Sequence, residues 1–579
     1  SAFAAQEMEA MLFRLFPRPT PKTKSIPKAL VLWVILLAGA LVPACALGAE
    51  ALDLRVGIPA TGVSIEPYLY NNRHYLFLPG FCNREKLIAH VGEDGGCLEV
   101  KEGGRLTEGE LTDAFAAERL TLHNPSGGWS RLEVMQGSKI PCLFITTQSG
   151  SVSQIHKSKE NSEPGHLLFF DGNGAVRYDG ELTAIRVRGN TTASYPKRPY
   201  QIKLASAASL TGGGKAKTFV LLAEYLDFSL LRNRITLDMA RYAQVPWAMR
   251  ALSVDVYING AYRGVYTLAD KVEIGKSRVA IKDLQPEMEY LNALPLSQYK
   301  DHALEYEDGT TAFGYRLDAS PADLTGGYLL EIDKAYRVKD SDNGSVFTSR
   351  KMGICVREPE YPSLEQMDYL HGLLIQIDNS IRQKDGRDPV SGVHFTQLID
   401  LPSFAKKFLI EDISINFDAK AGSQYFFKDR DSVSPKLFAG PAWDYDLTYG
   451  NCQVDSPSKP YLMTIKNSFP WYNTLFQKQA RFRREVRDQY FQFFQPALQI
   501  LTGQRQSDAP DVLRPLAQYE SELALSAKMN AVRWPPNYGK KYALRKGFTF
   551  ETSIAHMQDF LEDRMAFMDS YLGNEENIE

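Results

Sequence analysis

The stretch Phe438-Ala439-Gly440-Pro441-Ala442-Trp443-Asp444-Tyr445-Asp446-Leu447-Thr448-Tyr449-Gly450 decides how this chain is read, because it sets Asp444 twenty-six residues after Asp418 in Ile415-Asn416-Phe417-Asp418. Two acidic loop residues at that separation fit a phosphoryl-transfer site. There, one carboxylate at a helix end orients the acceptor hydroxyl and a second, after a short strand, holds magnesium on the phosphates. Between them, Ser423 and Gln424 fall close to where an amide for a second metal belongs, and Tyr425-Phe426-Phe427 reads as the strand.

The roles follow from chemistry. Asp418 is expected to orient, or take a proton from, the attacking hydroxyl; the competing reading is a helix-end cap. Asp444, with Asp446 as its understudy, is the expected magnesium ligand, since a hard divalent cation prefers carboxylate oxygen; otherwise the two aspartates hold a turn between aromatic anchors. Gln424 would give a neutral oxygen to a second ion or simply satisfy backbone. Lys197 is the expected phosphate-binding cation, with Arg188, Arg198 and Lys203 competing, and Asn416 is expected to brace the Asp418 loop through its amide. No G-x-G-x-x-G or Walker loop accompanies these residues, and no His-Arg pair precedes Asp418.

Further blocks extend the pattern upstream: Arg188-Gly189-Asn190-Thr191-Thr192, Pro196-Lys197-Arg198-Pro199-Tyr200-Gln201-Ile202-Lys203, Ser229-Leu230-Leu231-Arg232-Asn233-Arg234 and Ile258-Asn259-Gly260-Ala261-Tyr262-Arg263-Gly264-Val265-Tyr266. Together with Trp443-Asp444-Tyr445-Asp446 they resemble the CotH family of spore coat proteins, known for an atypical kinase fold, from roughly Ile140 to Leu572. The resemblance implies an α+β chain: an atypical protein-kinase-like two-lobed fold, ATP and Mg2+ as cofactors, and transfer of the terminal phosphate to Ser or Thr of a surface or coat protein. The alternative is an adhesion or matrix-organising protein on the same scaffold without turnover.

The 579 residues, 44% hydrophobic and 23% charged, describe a globular chain of two or three domains. A formal net charge of −3 gives no global field for nucleic acid. Residues 1–49 read as a leader: a basic run from Arg14 to Lys28 precedes the uncharged Ala29–Ala49, an export signal that would be cleaved, retained as an anchor, or acylated at Cys45. The chain is therefore expected outside the cytoplasm or at the cell envelope, membrane-associated through the leader or Cys45. Cys82 and Cys97 are near enough to close a small loop, although buried thiols are the favoured reading.

Residues 50–136, with short β-like runs broken by Gly-rich turns, are expected to form a small all-β accessory domain resembling a sandwich. Residues 137–275 offer successive strands of one sheet, a helix near Leu230–Ala243 and a hairpin at Asn259-Gly260, the order of a kinase small lobe. Residues 276–400, rich in Asp, Glu, Gly and Tyr from Lys276 to Tyr361, are expected to be an insertion and connecting segment. Residues 401–575 would be a helical large lobe, with Ile554, Met557, Leu561, Met565, Met568 and Leu572 as one apolar stripe. Asp171-Gly172-Asn173-Gly174 and Asp340–Gly344 imitate calcium loops but lack the closing glutamate and read as hairpin turns.

Overall fold

The alternation of apolar residues between Cys142 and Asp270 folds into a single sheet that closes into a barrel. The computed structural model describes residues 52–59, 61–92, 96–124, 128–333, 344–347, 353–420, 422–451, 456–461, 470–535 and 547–579. Strand Cys142–Thr147 pairs with Ser162–Phe170, and the ladder continues through Val176–Val187, Tyr200–Ala208, Ala216–Leu222, Ala261–Asp270 and Ala251–Ile258. The ring closes because Cys142–Ile145 runs parallel to Asp255–Ile258, so the last hairpin covers the edge left by the first strand. Asn259 and Gly260, at φ 51° and 78°, make the tight turn of that hairpin. Every second residue points inward, Ile185 and Val187, Ile202 and Leu204, Phe219 and Leu221, Val254 and Val256 filling one core.

Residues 54–136 hold a four-stranded and a six-stranded sheet, the latter with Gly128–Gln136 parallel to Arg73–Leu78. Their core does not stop at the boundary. Phe77 lies 4.9 Å ring to ring from Tyr262, the Tyr257 hydroxyl donates to the Phe77 carbonyl at 3.1 Å, and Leu76, Phe144, Phe170 and Met529 share one apolar cluster. Leu52–Glu579 accordingly form one compact unit.

The segment expected to be an insertion is corrected by the structure. It supplies five strands of a seven-stranded sheet in the order Asp301–Glu305, Thr311–Tyr315, Ser345–Phe347, Gly353–Glu358, Tyr328–Asp333, Gln424–Lys428 and Phe438–Ala439. Tyr328–Asp333 is central, pairing with Gly353–Glu358 on one side and Gln424–Lys428 on the other. Its Leu329, Leu330 and Ile332 belong to the main core, so acidic, Gly-rich connections concealed core strands. The helical lobe expected after residue 401 also carries the last two strands of this sheet, the first of them containing Tyr425-Phe426-Phe427, read as a strand from sequence.

Helices pack around that sheet. Leu364–Arg382 starts from a capping box between Ser363 and Gln366, and Leu401–Ser414 starts from Asp400, whose carboxylate accepts from Ser403 N. Phe550–Gly573 buries the whole stripe from Ile554 to Leu572. The architecture is mixed α and β. Cys82, Cys142 and Cys355 are buried and Cys97 exposed, and no bridge joins Cys82 to Cys97. Asp171 holds a hairpin turn, accepting from Asn173 N and Ala175 N. Among the described residues no helix is long and apolar enough to cross a membrane. The leader, Cys45, Cys452 and residues 340–343 lie outside the described residues.

Candidate active site

Asp418 and Asp444 reach one cavity because two consecutive loops leave the same end of the large sheet. The helix Leu401–Ser414 stops where Ile415 turns left-handed at φ 47°, the 3-10 turn Phe417–Lys420 presents Asp418, and the chain then enters strand Gln424–Lys428. The next strand, Phe438–Ala439, runs back antiparallel and delivers the loop that carries Asp444 and Asp446. Asp418, Ser423, Asp444 and Asp446 line a cavity of about 620 Å³. The barrel contributes Arg186, Arg188 and the Gly189–Thr192 turn to its lining. Asp444 and Ser423 sit at φ 72° and 55°, a region that side-chain-bearing residues seldom adopt, and Ser423 Oγ donates to Asp444 Oδ2 at 2.9 Å.

Two polar anchors hold the loops from beneath. Glu411, fully buried, accepts from Lys407 Nζ, from the Tyr445 hydroxyl at 2.7 Å and from Asn416 Nδ2 at 2.7 Å. Asn416 Oδ1 in turn accepts from Asp418 N at 3.0 Å, so a single carboxylate ties together the backbones that present both aspartates. From the other side Asn233, in the helix Arg232–Tyr242, accepts from Tyr445 N at 2.7 Å, and Arg232 Nε donates to the Thr448 carbonyl at 2.9 Å. Asn451 Nδ2 bridges the Asp446 and Leu226 carbonyls.

The electrostatics are one-sided around Asp446. Burial pushes its carboxyl well above the usual carboxylate range, and the neighbouring Asp444, Glu224, Asp418 and Asp227 push it further, although it keeps some surface open to the cavity. Burial raises Glu224 to about 7, with Asp227 adding to it and the Asn233 hydrogen bonds and the charge of Lys197 opposing. Arg188, stacked 5.5 Å over the Trp443 ring, is lowered by burial and held up by Tyr425, Asp444 and Glu331.

Of the residues expected from sequence, Asp418, Asp444, Asp446 and Arg188 come together on this cavity. Four others do not line it. Lys197 is buried, its Nζ donating to the Val265 carbonyl and to Asn530 Oδ1 at 2.8 Å beneath the Tyr266 ring, and burial pulls its amine down to about 7. It lines a second cavity instead. Lys203 is exposed, because strand alternation that turns Ile202 and Leu204 inward turns it outward. Gln424 is fully buried and its Oε1 accepts from Lys407 Nζ at 2.9 Å, which commits the oxygen expected to face a second metal. Asn416 is buried and braces the loop through its amide. Sequence reading missed Arg186 and the Arg357–Glu331 pair at 2.6 Å on the cavity wall, and Glu224, which lines the second cavity and whose left-handed φ gives no local sequence signal.

Among the described residues no group of three or more His, Cys, Asp or Glu side chains is disposed to hold a metal on protein ligands alone. Magnesium does not require one, since phosphates and water supply most of its ligands beside one or two carboxylates. Asp444 and Asp446 on the cavity wall are carboxylates of the kind and number that such a cation takes from a protein.

Fold and site define a mixed α and β protein in which a closed barrel and a seven-stranded sheet meet at a carboxylate-rich cavity. The chain belongs to the CotH family, whose description is CotH kinase protein, with residues 185–568 matched. That span holds Arg188, Asp418, Asp444 and Asp446, and leaves the two small sheets before residue 137 outside it. No curated protein matches the chain.

Proposed function

We propose that this chain is a kinase-like, two-lobed phosphotransferase that binds ATP with Mg2+ in the 620 Å³ cavity and phosphorylates Ser or Thr of a surface or coat protein outside the cytoplasm. The observation that carries the reading is the convergence of Asp418, Asp444 and Asp446 with Arg188 on that one cavity. Arg188 offers a planar, permanently charged fork to phosphate oxygens, and its place over Trp443 fixes the plane of that fork. Asp418 orients the acceptor hydroxyl and receives its proton at a carboxylate oxygen, from a loop that Asn416 holds in place. Asp444, positioned by Ser423, and Asp446 would hold magnesium, which when bound supplies positive charge against the terminal phosphates.

Incubation with labelled ATP, magnesium and a generic acceptor protein tests this. Wild type is expected to incorporate label, and Asp418→Ala and Asp444→Ala to lose it; labelling that persists in both variants removes the assignment. Wild type that shows neither labelling nor thermal stabilisation by MgATP would instead support a non-catalytic surface scaffold. Occupancy at a hundred times Kd stabilises a folded protein by about 2.7 kcal/mol and is readily seen.

A further inference from the structure

A second cavity of about 300 Å³ adjoins the first, Leu226 lining both. Its character differs. Aromatic side chains dominate the lining, with Tyr225, Phe228, Trp534, Phe548 and Phe550 contributed by two distant parts of the chain. Its charges cancel: Lys197 and Lys528 stand against Glu224 and Glu551, and Asp227 is matched by its fully buried ion pair with Arg232. The volume falls at the lower end of small-ligand pockets.

Lys197 and Glu224 are both nearly inaccessible, at 1% and 5% exposure, and neither is saturated by its protein partners. Lys197 Nζ gives hydrogen bonds to Val265 O and Asn530 Oδ1, two of the three an ammonium can make. Among the described residues Glu224 accepts only from Asn233 Nδ2, at 3.2 and 3.1 Å, against about four lone-pair positions on a carboxylate. A donor and an acceptor with spare capacity therefore line an apolar, aromatic-walled cleft.

We propose that this cavity binds a flat, uncharged heteroaromatic ring that carries a hydrogen-bond donor next to an acceptor, the acceptor taking a hydrogen from Lys197 Nζ and the donor giving to a Glu224 oxygen. An anion would face Glu224 and a cation Lys197, so a charged occupant is repelled by one of the two. An aliphatic occupant of the same volume would leave both polar groups unpaired in a dry pocket. The flat ring satisfies both and stacks on the aromatic walls. The inference does not depend on turnover in the first cavity.

The probe is 7-azaindole, whose ring N–H and ring nitrogen are adjacent, titrated into the full chain by calorimetry and saturation-transfer NMR. Single-site, submillimolar binding is expected, with indole, which lacks the accepting nitrogen, at least about tenfold weaker. Ala531→Phe, a change at an exposed helix position lining the cavity, is expected to weaken 7-azaindole by at least about tenfold as the new ring fills the space. Absence of saturable binding into the low millimolar range, equal affinity for indole, or unchanged binding by a folded Ala531→Phe protein would each overturn the proposal. Saturating MgATP separates the sources of the ring. Displacement of 7-azaindole assigns it to the base of a nucleotide reaching past Leu226, and undisturbed binding assigns it to a separate molecule.

Discussion

Glu411→Gln should loosen both aspartate-bearing loops at once, and the size of the effect can be worked from its partners. The carboxylate is fully buried, neutralises a fully buried Lys407, and accepts from Tyr445 and Asn416 as well. The amide keeps one acceptor oxygen, turns an N–H toward a group that is itself a donor, and leaves the Lys407 ammonium without its counter-charge. Breaking a buried pair by removing one partner costs about 3–5 kcal/mol, most of it the stranded charge. Lys407→Met added to Glu411→Gln removes that charge, so the double variant should recover most of the loss and retain a deficit of about 1–2 kcal/mol from the hydrogen bonds. Denaturant unfolding of the wild type, both singles and the double variant measures this, with MgATP-dependent stabilisation read alongside. A Glu411→Gln protein within about 1 kcal/mol of wild type, or a double variant no more stable than the single, would refute the view that one buried carboxylate clamps the loops.

Two further outcomes follow from the same physical chemistry. Arg188→Ala should raise the KM for ATP by about ten- to a hundredfold and lower phosphoryl transfer, because a desolvated fork on phosphate is lost, while Arg188→Lys should recover only part of it; steady-state labelling at varied ATP checks both. Burial raises Asp255 from 3.8 to about 6, against hydrogen bonds from Tyr262 and Ser526 and the charge of Lys197. Between those values the folded chain keeps a proton that the unfolded chain has released. The Asp255 contribution to stability should therefore be greatest below pH 4, fall by about 3 kcal/mol as pH rises through about 6, and then level off. Asp255→Asn should remove that component, and thermal unfolding across pH 4 to 8 reads it.

Local order was legible where the signal is short in range. The Asn259-Gly260 turn, the helix near Leu401, the Phe550–Gly573 stripe and the strand after Asp418 all follow from period, caps and turn residues within one element. The loops bearing Asp418, Asp444 and Asp446 were legible for the same reason, since each follows directly from a recognisable helix or strand. Lys197 and Gln424 misled because an isolated lysine or amide reads as available, and whether it is available depends on acceptors and donors elsewhere. Asn530, which takes the Lys197 ammonium, is 333 residues away.

The amino-acid order alone thus determined the family, those strands and helices whose period and caps lie within one element, and the acidic pair, all written in contiguous stretches. The tertiary structure alone decided that the strands from Cys142 to Asp270 close into a barrel, that Tyr328–Asp333 joins the sheet next to the aspartate-bearing loops, and that Arg188 rather than Lys197 stands beside Asp444. Burial, charge pairing and hydrogen-bond saturation arise between residues such as Asn233 and Tyr445, 212 positions apart, and exist only once folding has brought them together.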